Sequence, residues 1–163
     1  MLSWANQFSV CSFLDNNQYH SNYHSFDFLL AAGARNIFSP VINKLEQLDT
    51  FTKNQTDWLF GHIGYDLKNE IEHLSSSHPD HICFPDLYFF QPEIVIWGDK
   101  HAVTIAVIDQ NPAHIFSEIV SIDITTIESR VPHSNIRSRV SKEKYLQVIE
   151  QLRQHILRGD CYE

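Results

Sequence analysis

The sequence lacks both a disulfide framework and a long apolar run. Its three cysteines, Cys11, Cys83 and Cys161, are odd in number and far apart, and they form no CxxC motif. This usage is typical of a protein in a reducing cytoplasm. The longest apolar-leaning stretches, at 94–97 and 102–108, have the length of strands and are far too short to span a membrane. The N-terminal residues have no basic segment and therefore do not form a signal peptide.

Basic residues are scarce, and they are unevenly placed. The chain has 12 lysines and arginines against 20 aspartates and glutamates, which gives a net charge of −8. Residues 1–136 carry −10, from 6 basic and 16 acidic side chains, whereas residues 137–163 carry +2, from 6 basic and 4 acidic side chains. The acidic body disfavours nucleic acid and anionic membranes as partners. The change of sign predicts a boundary between modules 1–136 and 137–163.

Aromatic residues are abundant, with 11 Phe, 6 Tyr and 3 Trp, and they favour a sheet over a purely helical fold. The order of the predicted elements indicates an α+β fold with a largely antiparallel sheet and flanking helices. The polar stretch 123–139 is predicted to be a linker. The other predicted elements are a short helical turn at 3–7, strands at 8–14, 26–32, 57–66, 84–97 and 100–109, and helices from residue 39, at 67–74 and at 112–120.

Local signals place the ends of several of these elements. Gly98-Asp99 predicts a β-hairpin, since glycine tolerates the positive φ that tight turns use. Ser39 and Pro40 have the residue types of an N-cap and a first helical position. Asp66 is predicted to cap the helix over 67–74.

The last stretch, 141–163, has the clearest helical pattern in the chain. Ser141 is a good N-cap, and Gly159 can adopt the left-handed conformation that ends a helix. Only four residues follow that glycine, so we expect the chain to be the front part of a longer protein. The apolar face of this predicted helix consists of Tyr145, Val148, Ile149, Leu152 and Ile156.

The residues alone reveal no catalytic or metal-binding set. His78 and His81, with His73 nearby, have a spacing that could supply two ligands, but no compact third and fourth ligand follow, so a polar loop is the favoured interpretation. Gly61-x-x-Gly64 lacks the third glycine of a dinucleotide fingerprint and the GK[ST] of a P-loop. These glycines predict a strand that packs closely on its neighbours. Glu70 and Glu72 point to different sides of a helix and are poorly placed to act as a pair.

Two stretches resemble a known enzyme family. Residues 64–72, Gly-Tyr-Asp-Leu-Lys-Asn-Glu-Ile-Glu, are similar to a segment in the N-terminal domain of chorismate-utilising aminating enzymes. Residues 141–163 resemble the opening of their chorismate-binding domain. This family includes component I of anthranilate synthase and component I of para-aminobenzoate (aminodeoxychorismate) synthase. In the second stretch the matching residues are Tyr145, Val148, Ile156, Gly159, Asp160, Tyr162 and Glu163.

A third stretch resembles the strand–loop–strand that forms the tryptophan pocket of this family, over residues 13–16 and 22–27. Asp15-Asn16 stands where anthranilate synthases have Glu-Ser, and His24 stands in place of a serine, which argues against a feedback-regulated anthranilate synthase. Tyr23, Phe26 and Asp27 favour the para-aminobenzoate branch, although Tyr23 and Phe26 could equally be core residues. The effector site that the resemblance implies consists of Leu14, Asn16, Tyr23, His24, Phe26 and Asp27.

The resemblance also implies a reaction, a cofactor and partners. The family reaction of the para-aminobenzoate branch converts chorismate and ammonia to 4-amino-4-deoxychorismate for folate biosynthesis. Ammonia comes from a glutamine amidotransferase subunit, and Mg²⁺ binds the chorismate carboxylate. The catalytic and magnesium-binding residues of the family lie in its C-terminal domain, so we assign none to this chain and expect it to be inactive alone. Anthranilate synthase and a non-catalytic amino-acid-binding module are the alternatives.

Overall fold

The computed structural model describes residues 1–19, 23–123 and 137–162. The chain divides between residues 124 and 125 into two units. The predicted linker at 123–139 lies mostly outside the described residues, as do Asn22 and Glu163 of the resembling stretches. The module boundary after residue 136 therefore stays a prediction.

Seven strands and four short helices make up the regular structure in the described part of the first unit. Its helices are α1 (Leu2–Ala5), α2 (Lys44–Lys53), α3 (Lys68–Ile71) and α4 (Pro112–Ser121), with a 3₁₀ turn at Tyr65–Leu67. Its strands are β1 (Cys11–Asp15), β2 (Phe28–Ala32), β3 (Asn36–Phe38), β4 (Phe60–Ile63), β5 (Leu87–Gln91), β6 (Ile94–Gly98) and β7 (Val103–Val107).

The strands form two antiparallel sheets, which confirms the predicted α+β class. One sheet has the order β1-β2-β6-β7, and the other has the order β3-β5-β4. Strand β2 lies inside the first sheet and is apolar at every position because both of its faces are covered. Leu30 and Ala32 belong to one core cluster, while Leu29 and Ala31 belong to the other.

Helices cover one face of the four-stranded sheet. Trp4 of α1 and Ile115 of α4 pack with Leu30 and Ile96 in the first core cluster. The indole Nε1 of Trp4 donates a hydrogen bond to Glu118 Oε2 at 3.0 Å, so the two helices are also joined by a polar contact. A buried indole N–H that has an acceptor avoids the cost of an unmade hydrogen bond.

The three-stranded sheet covers the other face. Phe60 and Phe90 of this sheet pack with Leu29 and Val95 in the second core cluster. On its outer side, Phe38 stacks on Phe51 of α2 with ring centroids 4.3 Å apart. The described part of the first unit is therefore layered as helices, sheet, sheet and helix.

The predicted strand over 84–97 is wrong as a single element. It is two strands, because β5 ends at Gln91 and β6 begins at Ile94, and they belong to different sheets. Pro92 stands between them and has no backbone N–H to donate to a ladder. The sequence pattern also did not reveal β3, which has only three residues.

Two predicted helix starts are also wrong. Helix α2 begins at Lys44 rather than near Pro40, because its N-cap Asn43 has left-handed backbone angles that interrupt any earlier helical turn. Asp66 does not cap α3. It lies in the 3₁₀ turn, and its Oδ1 accepts a hydrogen bond from Lys68 Nζ at 2.9 Å.

The hairpin of β6 and β7 is confirmed, but its glycine acts differently from the prediction. Gly98 pairs with Val103 across the ladder, and its φ is not positive. A Cβ at this position would lie 2.4 Å from the carbonyl oxygen of Ala102. Close approach of the backbone, rather than an unusual φ, therefore requires glycine here.

The described part of the second unit contains one long helix, α5 (Lys142–Arg158), as predicted. Ser141 Oγ accepts a hydrogen bond from Lys144 N at 3.2 Å, and Gly159 ends the helix with φ of 81°. The apolar face is exposed, with Tyr145 59% and Leu152 49% accessible. Among the described residues, none of the helices combines the length and apolar character needed to cross a bilayer.

Candidate functional site

The turn that follows β1 is held by its own side chains. Asp15 Oδ1 accepts a hydrogen bond from Asn17 N at 2.5 Å, and Asn16 Oδ1 accepts one from Gln18 N at 3.0 Å. Asn17 and Gln18 both have positive φ. Asn and Asp favour such turns because their short side chains bond backbone N–H groups two residues further on. The local sequence therefore fixes the position of Asn16.

Asn16 and Asp27 join the two ends of the loop between β1 and β2. Asn16 Nδ2 donates to Asp27 Oδ1 at 2.8 Å, and Asn16 N donates to Asp27 O at 3.0 Å. His24 Nε2 lies 3.3 Å from the same carboxylate oxygen. Asp27 N donates in turn to Gly98 O at 2.8 Å, which ties the loop to β6.

The hairpin between β6 and β7 borders the same loop. Asp99 Oδ1 accepts hydrogen bonds from His101 N at 2.7 Å and from Ala102 N at 2.9 Å. These two bonds hold the pKa of the Asp99 carboxyl below its ordinary value of 3.8. The ionised carboxylate thus stabilises the hairpin tip that carries Lys100.

A cavity of about 350 Å³ opens between this loop and the hairpin. A smaller cavity of about 170 Å³ shares Asp27 and Lys100 with it and is also lined by His24, Asp99 and His101. The lining offers carboxylates, side-chain amides and one ammonium group, which suit a small charged ligand. The residues that line the larger cavity are Asp15, Asn16, Gln18, Asp27, Phe28 and Lys100.

The predicted effector residues take different positions around this cavity. Asn16 and Asp27 line it, and His24 lines the smaller one. Phe26 packs against the second core cluster, while Leu14 and Tyr23 are 55% and 94% exposed. Whether the six residues act together as an effector site stays a prediction. Sequence reasoning missed Gln18, Phe28 and Lys100, and the predicted hairpin at Gly98-Asp99 was the signal that could have suggested Lys100.

The stretch 64–72 makes contacts that connect it with α2. Glu70 Oε2 accepts a hydrogen bond from Lys44 N at 3.0 Å, and Glu70 Oε1 accepts one from Leu45 N at 3.1 Å. The bond from Leu45 and then the bond from Lys44 hold the pKa of the Glu70 carboxyl below its ordinary value of 4.5. Lys44 Nζ also donates to Asp86 Oδ2 at 2.8 Å. The sequence predicted that Glu70 and Glu72 are poorly placed to act as a pair. In the structure, Glu70 instead caps the N-terminus of α2.

Gly61 and Gly64 pack closely on neighbouring backbone, as predicted. A Cβ on Gly61 would lie 2.0 Å from the carbonyl oxygen of Tyr88, and a Cβ on Gly64 would lie 3.3 Å from Asp86 Cα. Gly64 N donates to Asp86 O at 2.7 Å. Close backbone approach therefore accounts for both residues.

Metal binding finds no support in the part of the chain that the structure describes. No three His, Cys, Asp or Glu side chains come together there as a possible metal site. Asp80, beside the predicted histidine pair, instead accepts hydrogen bonds from Ile82 N at 2.9 Å and Cys83 N at 3.0 Å. Its carboxylate is thus used to hold the loop.

A third, more apolar cavity of about 360 Å³ lies between β1 and the β4–β5 pair. The ring of His62 stacks on Phe84 with centroids 4.3 Å apart, and its Nε2 lies 2.9 Å from Pro85 O. Tyr88 and Phe90 continue the aromatic wall toward the second core cluster. These contacts account for the aromatic residues there as packing between the sheets.

Comparison with known proteins identifies the family. The family model described as chorismate binding enzyme matches residues 11–163, which is nearly the whole chain. A curated relative named "Anthranilate synthase component I-like protein", from Synechocystis sp., is 28% identical over 109 residues. The match covers 65% of this chain but only 22% of that protein, so the chain spans about a fifth of its length. No solved structure matches.

Proposed function

This chain belongs to the chorismate-binding enzyme family, and we propose that it is the N-terminal portion of an aminodeoxychorismate synthase component I. The whole enzyme would convert chorismate and ammonia to 4-amino-4-deoxychorismate in the cytoplasm, for para-aminobenzoate and folate biosynthesis. The choice of branch rests on the resemblance of Tyr23, Phe26 and Asp27 to that branch, and the structural observation that supports it is the Asn16–Asp27 hydrogen bond of 2.8 Å. This bond gives a structural role to Asp27, which is one of the residues in which the loop resembles that of para-aminobenzoate synthases.

The proposal gives this chain a supporting role and leaves the chemistry to other residues. The described residues do not fit a magnesium site, because no three potential ligands meet among them. We therefore propose that the magnesium ligands and catalytic residues of the whole enzyme lie outside the described residues. When bound, the ion would neutralise a carboxylate of chorismate.

Two partners belong to this proposal: the catalytic domain of the same enzyme and a glutamine amidotransferase subunit that supplies ammonia. Exposed apolar side chains support the first. Val41 and Ile42 before α2 are 83% and 69% accessible, and Ile82 is 82% accessible. Together with the exposed face of α5, they suit surfaces that a larger assembly covers.

Anthranilate synthase component I is the second candidate, because the curated relative is named "Anthranilate synthase component I-like protein". The two reactions share chorismate and ammonia and differ in product. An assay of the enzyme that contains this chain, with chorismate, ammonia and Mg²⁺, distinguishes them by mass spectrometry. We expect aminodeoxychorismate to accumulate. Anthranilate and pyruvate would overturn the choice of branch, and no consumption of chorismate would overturn both candidates.

A further inference from the structure

The apolar cavity of about 360 Å³ between β1 and the β4–β5 pair stays open although the aromatic residues around it pack on one another. Phe84 stacks on His62 with ring centroids 4.3 Å apart, yet Phe84 is 63% exposed. The lining of this cavity shares no residue with the cavities beside the β6–β7 hairpin. Its volume has room for two fused rings, since a cavity of about 150 Å³ holds benzene.

None of the four charged residue types lines the apolar cavity. Its residues are apolar or aromatic, or they carry a hydroxyl, thiol or imidazole group, and no Asp, Glu, Lys or Arg is among them. A charged ligand would lose its water here without gaining an opposite charge, which costs free energy. The cavity therefore disfavours carboxylates such as chorismate and matches an uncharged ligand.

Nearly parallel rings form one wall of the cavity. The imidazole of His62 lies at 24° to the ring of Phe84, and at 11° to the ring of Tyr88 with centroids 6.0 Å apart. Tyr88 in turn contacts Phe90, which is buried in the second core cluster. Because the rings hold one another in place, they present flat faces on which an aromatic ligand can stack.

Three polar groups of the lining are not used by the fold. Among the described residues, neither the hydroxyl of Ser12 nor that of Tyr88 has a hydrogen-bond partner. His62 Nε2 lies 2.9 Å from Pro85 O, and a carbonyl oxygen only accepts, so Nε2 donates and Nδ1 of the neutral ring is left as an acceptor. A hydroxyl group on a ligand can both donate and accept, so it matches this set of groups.

We propose that the apolar cavity binds a small uncharged aromatic molecule of one or two rings that carries a hydroxyl group. The volume selects the size of the ligand, and the stacked rings of His62, Phe84 and Tyr88 select a planar aromatic body. The lack of charge in the lining excludes ionised ligands, and the hydroxyls of Ser12 and Tyr88 select a polar group. This proposal is independent of which product the whole enzyme makes.

Calorimetric titration of the 163-residue chain with 2-naphthol and 2-naphthoate tests the proposal. The two probes have the same fused rings, and only 2-naphthoate is ionised at neutral pH. We expect 2-naphthol to bind to the chain. The affinity of 2-naphthoate should be weaker by about tenfold or more, because its carboxylate would be desolvated without a charged partner.

An aromatic variant and its control test the stacking wall. Phe84→Ala should weaken 2-naphthol binding by about two- to tenfold, the scale of one aromatic pair. Phe116→Ala is the matched control, because Phe116 is also exposed, at 56%, and belongs to α4 on the other face of the four-stranded sheet. This control should leave the affinity unchanged. Far-UV circular dichroism establishes that each variant is folded.

A double variant tests the polar groups. Ser12→Ala combined with Tyr88→Phe removes both hydroxyls and keeps the aromatic ring. The affinity for 2-naphthol should fall by about two- to tenfold, the scale of one hydrogen bond.

Cys11 reports where the probe binds, because it lines the cavity and is exposed. Alkylation by iodoacetamide can be measured separately at each cysteine by mass spectrometry. Bound 2-naphthol should slow the alkylation of Cys11. Cys161 does not line the cavity and should react at an unchanged rate, which makes it the internal control.

Any of five results would overturn the proposal. They are no binding of 2-naphthol, equally tight binding of 2-naphthoate, equal affinities of Phe84→Ala and Phe116→Ala, full affinity of the double variant, and an unchanged alkylation rate of Cys11. None of these results bears on the product assay of the whole enzyme. Failure of this proposal and failure of the proposed function are therefore distinguishable.

Discussion

Glu70 caps helix α2 from another helix, because its Oε2 accepts a hydrogen bond from the backbone N–H of Lys44 at 3.0 Å. The N-cap residue Asn43 makes no side-chain cap of its own and has left-handed backbone angles. The first N–H groups of a helix have no intrahelical acceptor. A carboxylate at that end also interacts favourably with the positive end of the helix dipole. The contact joins α3 to α2 across 26 residues of sequence.

Replacing Glu70 with glutamine should destabilise the chain. One amide oxygen can replace only one of the two carboxylate acceptors that Lys44 N and Leu45 N now use. The urea midpoint of unfolding, followed by circular dichroism, should fall. Glu72→Gln is the matched control, since it removes a nearby exposed carboxylate that accepts no hydrogen bond from the first turn of α2; Glu72 ends α3 through its backbone N–H, which the substitution keeps. Equal midpoints for the two variants would contradict a capping role.

Lowering the pH should remove the stabilisation that the Glu70 carboxylate gives to the start of α2. The folded state lowers the pKa of Glu70 below 4.5, through the backbone bonds of Leu45 and Lys44. A lowered pKa stabilises the fold at pH values above the unfolded pKa, and this contribution is lost as the pH falls through the folded pKa. Asp80 and Asp99 also have lowered pKa values, so the wild-type curve alone does not isolate Glu70. The difference in urea midpoint between wild type and Glu70→Gln should be full at pH 7 and shrink below pH 4.5. A constant difference would argue that the substitution acts through packing.

Gly61 should tolerate no side chain. A Cβ there would lie 2.0 Å from Tyr88 O and 2.7 Å from Phe89 Cα, which are backbone atoms of the paired strand. Gly61→Ala should therefore cost about 1–3 kcal/mol of unfolding free energy, the range for overpacking. Gly64→Ala is the comparison, because its new Cβ would approach Asp86 Cα only to 3.3 Å. Denaturant unfolding of both variants should give the larger loss at Gly61, and the reverse order would refute the assigned register.

Features that depend on neighbours in sequence were predictable. The ends of α5 follow from Ser141 and Gly159, whose capping conformations need only the helix itself. The hairpin of β6 and β7 follows from two apolar segments and a short turn. The antiparallel α+β class follows from the same local signals.

Features that depend on distant residues were not predictable. The carboxylate of Glu70 caps the start of α2 from another helix, and the two strands within 84–97 join different sheets. The candidate site shows the same limit. Asn16 and Asp27 were found by resemblance to a loop, whereas Lys100 reaches the cavity only because β6 pairs with β2.

The apolar face of α5 gives a test of whether a larger protein covers this chain. Leu152 is 49% exposed here, so Leu152→Ala should change the stability of the 163-residue chain by little. If a catalytic domain buries this face in the whole enzyme, the same substitution should cost about 2–5 kcal/mol there, as for a buried leucine. Gln147→Ala, on the opposite side of the helix, should be neutral in both proteins. Unfolding free energies of the six proteins decide the matter, because a small effect of Leu152→Ala in the whole enzyme would show that this face stays exposed.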